Sequence, residues 1–237
     1  MPFNSTYTAV VPAAGIGKRM AASCPKQYLS LAGLTLIEHS IMALKRHKQI
    51  GQVIVVLHPE DETFASLSIA QQPWLTTVVG GAERSDSVMA GLQRVEPGQQ
   101  WVLVHDAARP CLALDDLNNL LSLAQTGHVG GILAAPVRDT MKRAHADQRV
   151  LKTESRENLW HALTPQFFPL AELKAAMIKA KAKQVAVTDE ASAIEYAGGT
   201  VKLVLGSASN IKVTQPEDLL LAEFYLQQAL ATGKTAL

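Results

Sequence analysis

Two segments of this sequence carry residue types that could do phosphate chemistry. The first is Val11-Pro12-Ala13-Ala14-Gly15-Ile16-Gly17-Lys18-Arg19-Met20, followed by Pro25-Lys26. Its small residues and two glycines let backbone N–H groups come close to phosphate oxygens, while Lys18, Arg19 and Lys26 supply positive charge. The second is His105-Asp106-Ala107-Ala108-Arg109-Pro110, where Asp106 stands just beyond a strand-like apolar run. A carboxylate there can hold Mg²⁺ against a triphosphate, because Mg²⁺ prefers one or two carboxylates plus phosphate oxygens and water. Each has a plainer alternative: a Gly-rich turn with solvated cations for the first, and a helix cap or turn residue for Asp106. Gly80-Gly81, followed by Glu83-Arg84-Ser85-Asp86-Ser87, sets a Gly turn and hydroxyls at a third strand-to-helix junction, where a capped helix is the plainer reading.

Two better-known phosphate loops are excluded. The dinucleotide fingerprint needs Gly or Ala where Met20 stands, so Gly15-Ile16-Gly17 matches it only in part. The P-loop needs a glycine at Pro12 and Ser or Thr at Arg19.

The elements that must position these residues follow from periodicity. Thr8–Val11, Val53–Leu57, Thr76–Val79, Val102–His105, Ile132–Pro136 and Val201–Leu205 are strand-sized apolar runs. Helical spacing predicts helices over Thr35–His47, Ser85–Arg94, Asp115–Gln125 (with Asp115 or Asp116 as its cap), Leu170–Lys181, Asp189–Tyr196 and Pro216–Leu230. Strands alternating with helices predict an α/β fold with a mostly parallel sheet, whose ligands lie at the carboxyl ends of its strands. The segment 137–156 breaks the pattern. It is polar, charged and poorly periodic, and fits either a solvated loop or an arm that packs on another subunit. One domain over residues 1–237 with that arm is the simplest organisation.

Composition narrows the classes. A net charge of +1 over 237 residues gives neither the basic excess of a nucleic-acid coat nor a membrane-surface binder. No apolar stretch reaches membrane-spanning length, and residues 1–5 show no basic lead into an apolar run, so the expected compartment is the cytoplasm. Cys24 and Cys111 form neither a CxxC pair nor a metal-finger spacing and are expected to be reduced packing residues.

Taken together, the segments already quoted, with Pro25-Lys26-Gln27-Tyr28, Gly80-Gly81-Ala82-Glu83-Arg84, Pro136-Val137-Arg138-Asp139-Thr140, Thr164-Pro165-Gln166, Thr188-Asp189-Glu190-Ala191 and Asn210-Ile211-Lys212-Val213-Thr214, make the chain resemble the 2-C-methyl-D-erythritol 4-phosphate cytidylyltransferases. The matches run in order through nearly the whole chain. The resemblance implies a Rossmann-like nucleotidyltransferase fold with a projecting β-arm and a homodimer built around that arm. It further implies that Pro12, Ala13, Ala14, Gly15 and Gly17 wrap CTP. Backbone groups near Ala14 and Gly81, with the Ser87 hydroxyl, would read cytosine, with Arg84 and Ala107 beside the nucleotide and Asp106 holding Mg²⁺. Arg109, Thr140, Thr164 and Lys212 would hold methylerythritol phosphate, joined by Arg156 from the partner subunit. Arg19, Lys26, Arg156 and Lys212 would be the catalytic cations.

Three other functions share parts of this pattern. A cytidylyltransferase for a pentitol phosphate such as ribitol 5-phosphate would share the first loop. A non-catalytic nucleotide sensor would not need Lys26, Asp106 and Lys212 together. An NAD-dependent oxidoreductase is disfavoured by Met20.

Overall fold

The structure is a computed structural model that describes residues 6–15, 24–127 and 129–231. In chain order its elements are β1 (Tyr7–Pro12), the short β2 (Ser30–Leu31) and β3 (Leu34–Thr35), α1 (Leu36–Lys45), β4 (Ile50–Leu57) and β5 (Leu75–Val79). Then come α2 (Arg84–Arg94), β6 (Trp101–Val104), α3 (Leu114–Leu121), α4 (Leu123–Thr126), β7 (Gly131–Pro136), β8 (Met141–Ala144) and β9 (Val150–Glu154). The chain continues through β10 (Trp160–Pro169), α5 (Leu170–Ala182), α6 (Glu190–Ala197), β11 (Lys202–Leu205) and α7 (Pro216–Ala231).

Seven strands form one sheet in the order β11-β7-β10-β6-β1-β4-β5. β1 pairs in parallel with β4 on one side and β6 on the other, and only β10 runs antiparallel to its neighbours. The chain leaves β1 toward β4 and β5, then returns to place β6 on the opposite side of β1. The crevice between the carboxyl ends of β1 and β6 is therefore a topological switch point, where an open α/β sheet leaves room for a ligand.

Alternation along β1 builds both faces of the core. Ala9 and Val11 pack with Ile37, Ile41 and Leu44 of α1 and Leu117 and Leu120 of α3. Val10 points the other way, into Val88 and Leu92 of α2 and Leu173 and Met177 of α5. Each fully buried aliphatic side chain of this kind contributes about 1.5–3 kcal/mol. A third cluster joins α7, through Ala222 and Leu226, to Leu31, Leu36, Ala108 and Val213, and so ties the last helix to the segment that carries Asp106. α1 starts at a capping box, with Thr35 accepting from the Glu38 N–H and Glu38 accepting from the Thr35 N–H, worth about 1 kcal/mol.

Several expectations change. Neither Asp115 nor Asp116 caps α3; its N-cap is Ala113, and both aspartates lie in the first turn. Asp116 instead accepts from the N–H and the hydroxyl of Ser207. The helix expected over Asp115–Gln125 divides at Ser122, whose hydroxyl bonds back to the Asn119 carbonyl and competes with the helical ladder. β5 is the sheet edge, and none of its five residues is buried. Segment 137–156 is not a loop: β8 and β9 pair antiparallel across it, almost wholly exposed. Cys111 packs as expected, with burial pushing its thiol up to about 12, whereas Cys24 is exposed.

Gly91 marks a close helix-to-sheet approach. A Cβ there would sit 2.4 Å from Val10 Cγ1 and 3.0 Å from Val56 Cγ2, both on buried, β-branched side chains with little room to turn. Gly91→Val should destabilise the fold by about 1–3 kcal/mol through overpacking, despite removing a helical glycine. Urea unfolding followed by circular dichroism checks this; an unchanged midpoint would mean that α2 can lift from the sheet.

Candidate active site

The switch-point crevice is an open cleft with about 200 Å³ of space inside its walls, placed where such sheets take their small-molecule ligands. One wall is the turn after β1, from Pro12 to Gly15, and the opposite wall is Gly81 to Arg84 with Ser87 at the start of α2. Asp106, Ala107 and Ala108 close the end beyond β6, and Lys26, Gln27 and Lys212 complete the lining.

Each wall is held by identifiable bonds. The Ala13 N–H donates to the Val56 carbonyl, and buried Gln27 donates its amide to the Ala13 carbonyl at 2.9 Å. Those bonds occupy the turn from the sheet side and leave its other face to the cleft. Across from it, Gly80 has no room for a side chain: a Cβ would lie 2.8 Å from Ala14 Cβ and 2.7 Å from Ser87 Oγ. The glycine thus lets the two phosphate-sized turns approach each other. The Ser87 hydroxyl accepts from the Gly81 N–H at 3.2 Å and faces the Glu83 carbonyl at 3.2 Å, which fixes the second turn to the first turn of α2.

Asp106 is the electrostatic centre. It is buried, yet three cations reach its carboxylate: Lys212 Nζ at 2.8 Å, Arg84 Nη2 at 3.3 Å and Arg109 Nε at 3.6 Å. Burial alone would raise its pKa; the charges of Arg84, Lys212 and Arg109 outweigh that and hold it well below the usual carboxylate range. Asp106 is therefore ionised at any physiological pH.

Lys212 comes from the loop after β11, and three bonds dock that loop. Val213 N–H donates to the Ala108 carbonyl, Arg109 Nη1 donates to the Asn210 carbonyl at 2.7 Å, and Asn210 Nδ2 donates to the Thr164 carbonyl at 2.8 Å. Lys26 Nζ reaches the Val213 carbonyl at 3.2 Å, so both lysines converge on one side of the cleft.

Behind Asp106 lies a neutral layer. Fully buried His105 faces the Arg109 carbonyl through Nε2 at 3.1 Å and Thr164 Oγ1 through Nδ1 at 3.0 Å. A carbonyl can only accept, so Nε2 carries the proton and the Thr164 hydroxyl donates to Nδ1. That hydroxyl also accepts from the Asp106 N–H at 3.0 Å. Burial lowers the His105 pKa to about 4, with Asp106 and the Arg109 carbonyl opposing it.

The structure thus gathers Pro12, Ala13, Ala14, Gly15, Lys26, Gly81, Arg84, Ser87, Asp106, Ala107 and Lys212 around one cleft. Gly17 and Arg19 lie outside the described residues. Arg109 and Thr164 stand beside Asp106 but are buried, with their polar atoms turned to protein groups. Thr140 and Arg156 are exposed near the β8–β9 hairpin and do not line the cleft; Arg156 Nη1 bonds the Arg138 carbonyl. Gln27, Asn210 and Glu190 were given no role by sequence reasoning, although each falls inside a motif. Glu190 is buried and holds Arg84 through both carboxylate oxygens.

An open, mostly parallel sheet with Gly-rich turns at its switch point, cations on two sides and one buried carboxylate defines a nucleotidyltransferase. The family model for "IspD: 2-C-methyl-D-erythritol 4-phosphate cytidylyltransferase" matches residues 7–228, and the chain belongs to that family. A 2-C-methyl-D-erythritol 4-phosphate cytidylyltransferase from Yersinia pseudotuberculosis serotype I is 59% identical over 97% of this chain and 95% of its own length. One from Pseudoalteromonas atlantica is 60% identical over 93% and 95%. Among solved structures, the Francisella tularensis 2-C-methyl-D-erythritol 4-phosphate cytidylyltransferase superposes with a TM-score of 0.80 at 31% identity, covering 93% of this chain and all of that one.

His105 yields a pH prediction. Its folded pKa lies near 4, below the unfolded value of about 6.5. As pH falls below about 6.5 the unfolded chain takes up the proton first, so stability is lost between there and about 4, by on the order of a few kcal/mol. Urea unfolding of the wild type at pH 7 and pH 5 should show this loss, and His105→Gln should show less of it. An equal loss in both proteins would assign the titration elsewhere.

Proposed function

We propose that the protein transfers the cytidylyl group of CTP to 2-C-methyl-D-erythritol 4-phosphate, giving 4-diphosphocytidyl-2-C-methyl-D-erythritol and pyrophosphate in the non-mevalonate route to isoprenoid precursors. The observation that carries this reading is the convergence of Lys26, Lys212, Arg84 and Asp106 on a cleft walled by two Gly-containing turns. A phosphate oxygen of the acceptor attacks the α-phosphorus of CTP, and the bond from that phosphorus to the bridging oxygen of the β-phosphate breaks in line. The electron pair leaves with pyrophosphate, and no covalent enzyme intermediate is needed.

Both reactants are anions, so the protein's work is to offset their repulsion and hold them in line. In this reading the turn from Pro12 to Gly15 and Gly17 wraps the nucleotide, and Gly81 with Ser87 faces the base. Lys26 and Arg19 offset charge on the α-phosphate as it becomes five-coordinate, while Lys212 orients the attacking phosphate. Arg109 and Thr164 brace the acceptor end from behind Asp106, and Thr140 and Arg156 complete it from the hairpin region.

A single buried carboxylate at a strand end suits Mg²⁺, which takes one or two carboxylates and fills its shell with phosphate oxygens and water. Among the described residues no group of three or more His, Cys, Asp or Glu could form an all-protein metal cage, which fits a metal brought with the nucleotide. Asp106 would hold the Mg²⁺, which would neutralise phosphate charge.

The reading extends to a homodimer in which Arg156 serves the partner's site, supported by its exposure and by a cleft lining in its own chain that does not include it. It also extends to the cytoplasm, supported by two unpaired cysteines. Among the described residues no helix is long and apolar enough to cross a membrane.

Pyrophosphate release by purified protein with Mg²⁺, CTP and methylerythritol phosphate, run beside ribitol 5-phosphate and ATP controls, tests the reaction. Turnover confined to the ribitol 5-phosphate arm would keep the chemistry and overturn the acceptor. Lys26→Ala should lower kcat by about 10²–10³ while raising KM for CTP far less; the reverse pattern would make Lys26 a ground-state binder. Mixing the separately inactive Arg156→Ala and Lys212→Ala proteins should restore about a quarter of wild-type activity, since a mixed dimer has one intact site. No restoration after subunit exchange would place Arg156 in its own chain's site.

A further inference from the structure

Glu190 is a fully buried carboxylate that the mechanism above does not use. It is only 1% exposed and does not line the cleft. Its Oε1 accepts from Arg84 Nη1 at 2.7 Å and its Oε2 from Arg84 Nη2 at 3.2 Å. The same Nη2 reaches Asp106 Oδ1 at 3.3 Å, so one guanidinium bridges the two acids. Burial pushes the Glu190 carboxyl up and Arg84 pulls it down. On balance burial leaves its pKa raised, while the two-oxygen grip of one guanidinium favours the ionised form.

The elements around Glu190 are built to keep it still. It is the first residue of α6, where negative charge is favoured. Asp189 caps that helix by accepting from the Ser192 N–H at 2.9 Å. Gln166 of β10 clamps the same turn twice, donating to Asp189 Oδ2 and accepting from the Ala191 N–H, each at 2.9 Å. Arg84 itself is the first residue of α2, whose start carries its own capping box through Glu83 and Asp86, and it is the member of the pair that reaches the cleft.

A long cation beside a buried acid has two extreme positions: folded wholly onto Asp106, or swung into solvent. Either would alter the charge that Asp106 presents. A second acid behind the guanidinium removes both options by fixing its plane and sharing its charge.

We infer that Glu190 is a positioning residue that holds the Arg84 guanidinium in the one orientation in which it serves both Asp106 and a nucleotide in the cleft. The inference rests on the reading that this cleft takes CTP. Glu190 does not touch substrate; it sets nucleotide affinity and the charge at Asp106 through Arg84.

The test is a double-mutant cycle in the full-length protein, read by calorimetric CTP affinity without acceptor, by KM and kcat, and by thermal unfolding. Glu190→Gln keeps the volume but turns an amide NH₂ toward a guanidinium NH₂, and should weaken CTP binding by about tenfold or more, as loss of an outer-shell partner typically does. Arg84→Met should weaken it at least as much, and Arg84→Met/Glu190→Gln should be no weaker than Arg84→Met alone. The stability signature is opposite in the two backgrounds: Glu190→Gln lowers Tm beside Arg84 but raises it beside Met, where the carboxylate would be buried without its cation. If Glu190→Gln does not fold, Glu190→Asp, charged but one methylene short, should show the same loss to a smaller degree.

Guanidinium proton NMR of the free protein separates this inference from the functional reading. Arg84 should show hindered rotation of its amino groups in the wild type and lose it in the Glu190 variant. Wild-type protein that fails to bind CTP while showing that change would sink the function and leave the positioning intact. Arg84 equally hindered in both proteins, additive losses in the cycle, or a Tm change with unaltered CTP affinity would each overturn the inference.

Discussion

The buried carboxylate of Asp106 is the constraint from which the rest of the site follows. Removing an ion from water costs several kcal/mol even after relaxation, and only close, well-oriented partners offset it. Here the offset comes from three directions: Arg84 at the start of α2, Arg109 from the same turn, and Lys212 from a loop much later in the chain. Each partner must be held by its own backbone, so the demand of one acid spreads outward. α2 must start where the sheet edge turns back, and the loop after β11 must dock on Ala108 through Val213. The cleft is the space left between elements that all have to reach Asp106.

The layer behind the acid has a complementary task. Were His105 charged, a fourth cation would press on the cluster from the dry side. Burial keeps it neutral, and Thr164 turns it into a fixed relay of hydrogen bonds that ends on the Asp106 N–H. β10, the one strand running against the sheet, supplies both Thr164 and Gln166, so a single strand braces the acid from behind and holds the turn that carries Glu190. Asn210 completes the brace by tying the Lys212 loop to Thr164. Lys26 and Lys212 thus line the cleft side of Asp106, while neutral His105, Thr164 and Asn210 pack behind it.

The parallel part of this architecture was legible because buried strands write themselves as continuous apolar runs. β1, β4, β6 and β7 all appear that way, and the helices between them show their stripes. β10 was not legible. It holds Pro165 and Pro169 and breaks its apolar run with His161, Thr164 and Gln166, features that argue against a central strand. Pro165 is tolerated because it falls where the pairing with β7 shifts register, between Ala162 and Gln166. The cleft's cations were legible as residue types beside glycines, but not their targets. Nothing local to Lys212 links it to Asp106, and nothing local to Glu190 links it to Arg84; both pairs exist only once the sheet has brought distant strand ends together. The surroundings of Arg109 were equally hidden, since it is buried among carbonyl oxygens supplied by residues far along the chain.

The β8–β9 hairpin is the part whose physics within one chain is least complete. A two-stranded ribbon is marginal in water unless something packs on it, and the side-chain contacts across this one are solvent-facing, such as Arg143–Glu154 and Lys142–Thr153, which contribute little. Val150 and Leu151 are 60% and 53% exposed on it. Apolar residues on a polar ribbon, with Thr140 and Arg156 at its base, are the features on which the proposed dimer rests. The cleft seen in one chain offers cations enough for a nucleotide. An acceptor that is also an anion needs more, and Arg156, solvated on its own chain, is the cation that a partner could deliver at the lowest cost in desolvation.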